Sequence, residues 1–263
     1  MILVAEGVTK EFGGLVALRD VSFEAREGEI LGVIGPNGAG KTTLFHCVHG
    51  MHRPTRGRVI FRGKAIQGLP PHRVARLGLA RTHQIVRPLP ELTVRENAAV
   101  GACYGREGLG LAKGLAAADE ALAQVGLVAK RDVPAAKLNL GEKKRLELAR
   151  ALAARPYLVL LDEVLAGLNP SEVDAMLVTL RAVRDRGVTL VLVEHILRAV
   201  MGLSDRVLVL DRGEKIAEGP PDEVSRDPRV IEAYLGDPRA AARLVEGSGK
   251  GAGSSPPCEG TGA

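Results

Sequence analysis

The chain has 263 residues, 46% of them apolar, enough for one large domain or two small ones around a buried core. Its net charge of +5 comes from scattered Arg and Lys, and with 3% aromatic residues and no Trp it offers few rings for stacking bases, so the charge reads as a solvated surface or one facing an acidic protein or lipid neighbour, and no nucleic acid is expected. No apolar run approaches the roughly 18 to 20 residues of a membrane-spanning helix, Glu6 interrupts any secretory leader, and Cys47, Cys103 and Cys258 are too scattered for a disulfide framework or a zinc site, which predicts a cytosolic protein with reduced thiols.

Residues 1–34 alternate apolar and polar side chains (Val8, Val16, Leu18, Val21, Phe23) and then run into the wholly apolar Ile30-Leu31-Gly32-Val33-Ile34. The pattern predicts a small β layer, antiparallel, followed by a buried central strand. Val59-Ile60-Phe61 reads as a further short strand, and Pro88 to Gly114, rich in Gly and Pro, as irregular chain. Leu115, Ala118, Leu122 and Val125 mark an amphipathic helix, and residues 142–154 repeat the period with Leu146, Ala149 and Leu152, so an inserted helical subdomain is expected over about 88–154. Strand (157–162), helix (171–185), strand (188–193) and strand (206–210) then alternate as in an open α/β sheet with a parallel core. One domain over 1–236 is expected, with a tail over 237–263 whose Gly, Ser and Pro predict disorder from about 247.

Gly35, Gly40, Lys41 and Thr42 satisfy Gly-x4-Gly-Lys-Ser/Thr directly after the apolar strand and before an apolar helix start, Leu44-Phe45. In that setting the backbone N–H groups of Gly35, Asn37, Gly38, Ala39 and Gly40, in a loop that Pro36 stiffens without donating, converge on phosphates at a helix N-terminus. The loop therefore predicts ATP binding, with Lys41 on the β and γ phosphates, the Thr42 hydroxyl on Mg²⁺ and Thr43 on a further phosphate oxygen. Leu158 to Leu161 form a buried strand that ends in Asp162 and Glu163, at the sheet edge where such folds place ligands. Asp162 is the predicted Mg²⁺ ligand and Glu163 the general base for the attacking water. Thr189 to Val193 end at Glu194-His195 at the same edge, so that His195 reads as a capping or exposed residue or, with the resemblance given below, as a hydrogen-bond partner of the γ-phosphate. His46, His49 and His52 beside Cys47 raise the question of a metal, but steps of three on a helix fan the rings apart.

Together these segments resemble the ATPase subunit of ATP-binding-cassette (ABC) transporters over about residues 2–236, which implies the P-loop NTPase fold of that family. The resemblance implies that Gln84, in Ala80-Arg81-Thr82-His83-Gln84, touches Mg²⁺ and the attacking water, and that Phe12 stacks on adenine; from the residues alone Phe12 reads equally as core. The family signature Leu-Ser-Gly-Gly-Gln aligns with Leu138-Asn139-Leu140-Gly141-Glu142, implying that Asn139, Gly141 and Glu142 face the ATP of a partner subunit. Leu168-Asn169-Pro170 aligns with the loop that reaches that partner. Phe12-Gly13-Gly14-Leu15, Arg145-Leu146-Glu147, Ala166 to Pro170, Val193-Glu194-His195 and Val230 to Gly236 are similar to the branched-chain amino acid uptake ATPases. Lipopolysaccharide export and amide or urea uptake are related alternatives.

The likeness implies a peripheral protein on the inner face of the membrane, working with transmembrane permease subunits, a second ATPase and, indirectly, a solute-binding protein. Its permease contact is expected around Gln84 to Asn97. Asn139 and Leu140 depart from the signature, which favours a heterodimer with unequal sites over a homodimer; Val164 replaces the usual Pro and His83 the usual aromatic. Lys143-Lys144-Arg145 reads as the wet face of a helix, with a phosphate-facing contribution as its alternative. A cassette ATPase acting on DNA or ribosomes is the rival from another class, disfavoured by a single cassette without heptads. A regulatory subunit with little turnover is the third reading, opposed by Glu163 and His195.

Overall fold

The computed structural model describes residues 1–83 and 87–235. Gln84, Cys258 and the tail predicted over 237–263 lie outside the described residues.

The alternating N-terminal sequence folds into a hairpin of β1 (Leu3–Phe12) and β2 (Leu15–Ala25), turned at Gly13, whose φ of 57° suits a residue without a Cβ. Five consecutive buried residues make β3 (Ile30–Ile34), and the phosphate loop leads from it into α1 (Lys41–His49). β4 (Arg56–Phe61) and the two-residue β5 (Lys64–Ala65) pair onto β1, giving an antiparallel sheet in the order β2-β1-β4-β5. A short helix α2 (Pro71–Arg76), opened by Pro at its first turn, precedes the three-residue β6 (Leu79–Arg81).

The segment expected to be irregular, Pro88 to Gly114, contains a full helix, α3 (Val94–Tyr104). Its start was written in Thr93-x-x-Glu96: the Thr93 hydroxyl accepts from the Glu96 N–H while the Glu96 carboxylate accepts from the Thr93 N–H. α4 (Leu111–Gln124) starts four residues before the first apolar marker, and α5 (Leu140–Ala153) begins on a second capping box, Asn139 with Glu142. These three helices pack around Ala98, Ala118, Leu122, Leu146 and Ala149, all fully buried.

The chain then returns to the sheet through β7 (Leu158–Asp162), α6 (Pro170–Asp185), β8 (Thr189–Val193), α7 (Leu197–Leu203), β9 (Arg206–Asp211) and β10 (Glu214–Gly219), and closes with α8 (Pro221–Val224) and α9 (Pro228–Leu235). The second sheet has the order β10-β9-β3-β8-β7-β6, parallel throughout except for the antiparallel edge β10. It separates two apolar cores. In β7, Val159 and Leu161 face the helical side, while Leu158 and Leu160 face the antiparallel layer; in β8, Leu190 and Leu192 part from Val191 and Val193 in the same way. This stacking brings the C-terminal ends of β3, β7 and β8 to one edge, where Gly35, Glu163 and His195 follow them.

Candidate active site

The phosphate loop is shaped by glycines that no other residue can replace without displacement. A Cβ on Gly35 (φ 156°) would stand 2.1 Å from the carbonyl oxygen of Leu210, and one on Gly40 (φ 98°) 2.7 Å from that of Ala17. Gly40 is also the residue from which α1 starts, so the N–H groups of the loop and of the first helical turn point into one cleft. That cleft, about 510 Å³, is lined by Asn37 to Thr43, by Phe12, Leu15, Val16 and Ala17 from the β1–β2 hairpin, and by Glu163 and His195. Phe12 is 42% exposed, which overturns its alternative as core; Lys10 Nζ stands 4.7 Å from its ring centroid and His52 meets it edge-on.

Lys41 is buried and donates to the carbonyl oxygens of Gly35 (2.7 Å) and Pro36 (2.9 Å). Burial lowers the pKa of its ammonium, opposed by the charges of Glu163 and Asp162. A phosphate entering the cleft offers this ammonium acceptors that carry full charge, stronger than the two carbonyls it now holds.

Asp162 and Glu163, though adjacent, stand in different surroundings. The Asp162 side chain is buried, with Oδ2 held by Arg81 Nη2 at 2.7 Å and Oδ1 lacking any hydrogen-bond partner among the described residues. An orphaned, buried carboxylate oxygen is a costly feature unless a cation completes it, so this donor set fits a hard divalent ion. Glu163 adopts φ 49°, and its Oε1 lies 2.6 Å from His195 Nε2. The predicted pair is therefore in contact across the ends of β7 and β8.

Asn139, Gly141 and Glu142 do not join this cleft. They form the start of α5, where Asn139 Oδ1 accepts from the Glu142 N–H at 2.8 Å and Glu142 bonds both the Asn139 N–H and Lys130. Leu140 is 48% exposed there, and a Cβ on Gly141 would meet the Glu172 carboxylate at 2.6 Å. Asn169, in the loop predicted to reach a partner, caps α6 with Glu172.

Two expectations change. Of Lys143-Lys144-Arg145, Lys144 is no wet-face residue: it is 4% exposed, and its Nζ donates to the Glu163 carbonyl at 2.6 Å. The histidines do not all fan apart, because α1 ends at His49 and the chain folds back so that His52 N–H bonds the His46 carbonyl and the two rings meet edge to face at 4.9 Å. Among the described residues no group of three or more His, Cys, Asp or Glu could hold a metal. The buried Glu147 and Glu194 were not among the predicted site residues: Glu147 lies on α5 and Glu194 directly follows β8, and nothing in their sequence neighbourhood marks them as buried.

A family profile described as "ABC transporter" matches residues 18–166, more than half of the chain, and a second, described as "Branched-chain amino acid ATP-binding cassette transporter", matches residues 214–240. This chain belongs to the ABC transporter family. As an ABC ATPase subunit it is 41% identical over 253 residues to the high-affinity branched-chain amino acid transport ATP-binding protein LivG of Salmonella typhimurium, covering 90% of this chain and 98% of that one. It is 35% identical over 236 residues to the lipopolysaccharide export system ATP-binding protein LptB of Acidithiobacillus ferridurans, covering 90% of this chain and 97% of that protein. A crystal structure of a nucleotide-free ATP-binding cassette from an ABC transporter superposes with a TM-score of 0.81 at 31% identity, over 90% of this chain and 99% of the other. The ABC ATPase therefore has the α/β cassette fold, with an antiparallel layer and a parallel core sheet, and uses ATP.

Proposed function

We propose that this ABC ATPase drives uptake of amino acids, branched-chain ones foremost, by closing on a second ATPase subunit around ATP and opening after hydrolysis. The observation that carries the catalytic part is the contact of Glu163 Oε1 with His195 Nε2, 2.6 Å, at the mouth of the phosphate loop. Glu163 is the general base that takes the proton of the attacking water, His195 holds that carboxylate and meets the γ-phosphate, and Lys41 neutralises the β and γ phosphates. Phe12 stacks on the adenine, the N–H groups from Gly35 to Thr43 cradle the phosphates, and Gln84 contacts the water. Thr42, Gln84 and Asp162 would hold Mg²⁺, which supplies charge neutralisation of the phosphate oxygens. Catalysis here is positioning and electrostatics rather than covalent chemistry.

Asn139, Gly141 and Glu142 at the start of α5 serve the partner's nucleotide, and the altered signature favours a heterodimer with unequal sites. The complex sits on the inner face of the membrane against permease subunits, with a solute-binding protein delivering the cargo. Support for amino acids over lipopolysaccharide is the higher identity to the branched-chain amino acid subunit, 41% against 35%, and the matching C-terminal profile.

The test is ATP hydrolysis by the chain reconstituted with its permease and companion ATPase, with and without leucine-loaded binding protein. Leucine stimulation that Glu163→Gln lowers by about 100-fold or more is expected. Undiminished turnover in Glu163→Gln sinks the base assignment, and turnover blind to leucine sinks the cargo.

A further inference from the structure

A lysine 4% exposed is unusual, because an ammonium loses its hydration on burial and keeps its charge only against acceptors. Lys144 lies in the second turn of α5, and its Nζ donates to the main-chain carbonyl of Glu163 at 2.6 Å. That same oxygen accepts from the Ala166 N–H at 3.2 Å, while the Glu163 N–H donates to the Val193 carbonyl at 2.9 Å. The peptide held from both sides belongs to a residue at φ 49°, a left-handed conformation that is strained for a non-glycine residue and persists only where its surroundings impose it. Two further buried carboxyl groups tie down the neighbouring loops through backbone N–H groups. Glu194, 2% exposed, accepts from the Leu165 N–H at 2.7 Å, and Glu147, one turn along α5 from Lys144, accepts from the His83 N–H at 3.0 Å.

We propose that Lys144 is the positioning residue for Glu163: its ammonium, bound to the Glu163 carbonyl, fixes the left-handed peptide that directs the carboxylate toward His195 and the phosphate cleft. Lysine suits this task, since its long stem reaches from the helix axis to the end of β7 and its three donors can serve a carbonyl and nearby carboxylates together. The same helix starts with Asn139, Gly141 and Glu142, so a displacement of α5 at its N-terminal end reaches the Glu163 backbone through one side chain. The inference rests on the reading of Glu163 as the base and adds to it the group that aims it.

The experiment uses the full-length chain with its permease and companion ATPase and compares Lys144→Met, which keeps the stem and loses the donors, with Lys144→Arg. Lys144→Met is expected to lower kcat about 10- to 100-fold with KM for ATP changed less than about threefold, as displacement of a catalytic group by about an ångström does; Lys144→Arg is expected to regain at least a third of wild-type kcat. In a Glu163→Gln background, adding Lys144→Met is expected to change the residual rate less than about twofold, because the lysine acts through the group already removed. Wild-type kcat in Lys144→Met, or a further tenfold fall in the Glu163→Gln background, overturns the proposal. Should Lys144→Met not assemble, Lys144→Met with Glu194→Gln removes the stranded charge and carries the same expectation. Full turnover in Glu163→Gln alone refutes the base assignment instead, so the two failures are read separately.

Discussion

Phe12 shows what a single residue's surroundings decide. Its ring lines the phosphate cleft and stays half-exposed, with Lys10 over it and His52 crossing it at a steep angle. Phe12→Ala is expected to raise KM for ATP roughly tenfold, equivalent to about 1.4 kcal/mol of lost stacking, with kcat little changed; steady-state kinetics over a range of ATP concentrations measures it. A fall in kcat at unchanged KM would place Phe12 outside adenine binding. At this scale the sequence was informative where order along the chain sets the geometry: Asn37 to Thr43 line one cleft because they are consecutive, and Asp162 ends a strand with Glu163 directly after it. It was silent where function comes from burial. Lys144 stands between two other cations in sequence, and only its burial and its bond to the Glu163 carbonyl reveal that it points inward. Glu194 likewise reads as a neighbour of His195 until its carboxylate is seen on the Leu165 amide.

Among the elements, α3 was hidden because Pro and Gly on both sides dilute its apolar period, while its start signal, Thr93 with Glu96, is local and legible. What fixes α3 in the helical subdomain is Asn97, fully buried. Its carboxamide oxygen accepts from the Leu89 N–H and from Arg150 of α5, and its amide donates to the carbonyls of Leu89, Leu92 and Thr93. One side chain thereby ties the chain before α3 to α3 and to α5. Asn97→Ala leaves the Leu89 N–H and the Nη2 of Arg150 without this acceptor, while the guanidinium keeps the carbonyls of Asn97 and Arg87, and is expected to destabilise the protein by about 1–3 kcal/mol in urea unfolding. A loss under about 0.5 kcal/mol would mean that other groups already satisfy these partners. The strands β7 and β8 were legible in full because burial on both faces makes an uninterrupted apolar run. The two-residue β5 and three-residue β6 were not, since neither is long enough to show a period.

For the molecule as a whole, the buried carboxylates set a dependence on pH. Burial pushes the pKa of Glu194, and likewise of Glu147, up to about 7. The folded chain therefore binds these protons more tightly than the unfolded one, and the stability they confer is complete below the ordinary carboxylate range and is lost as pH rises through about 7. Glu194→Gln, which carries no proton to lose, should gain on wild type by on the order of 2 kcal/mol between pH 5.5 and pH 8 in urea unfolding without nucleotide; a constant difference across that range would show that Glu194 does not titrate there. The domain class and strand alternation were readable from the sequence, but the two cores either side of the parallel sheet were not, because period alone does not say which layer a buried face meets. That sheet also has to end. A row of unpaired N–H and C=O groups along a long, flat edge is a template on which other chains can add as strands and begin to aggregate. Here one border is β10, reversed against the rest and carrying Glu214, Lys215 and Glu218, and the other is β6, which offers three residues before the chain turns away. The sheet is thus terminated by charge at one side and by brevity at the other, which guards newly made subunits against sticking edge to edge while they await assembly.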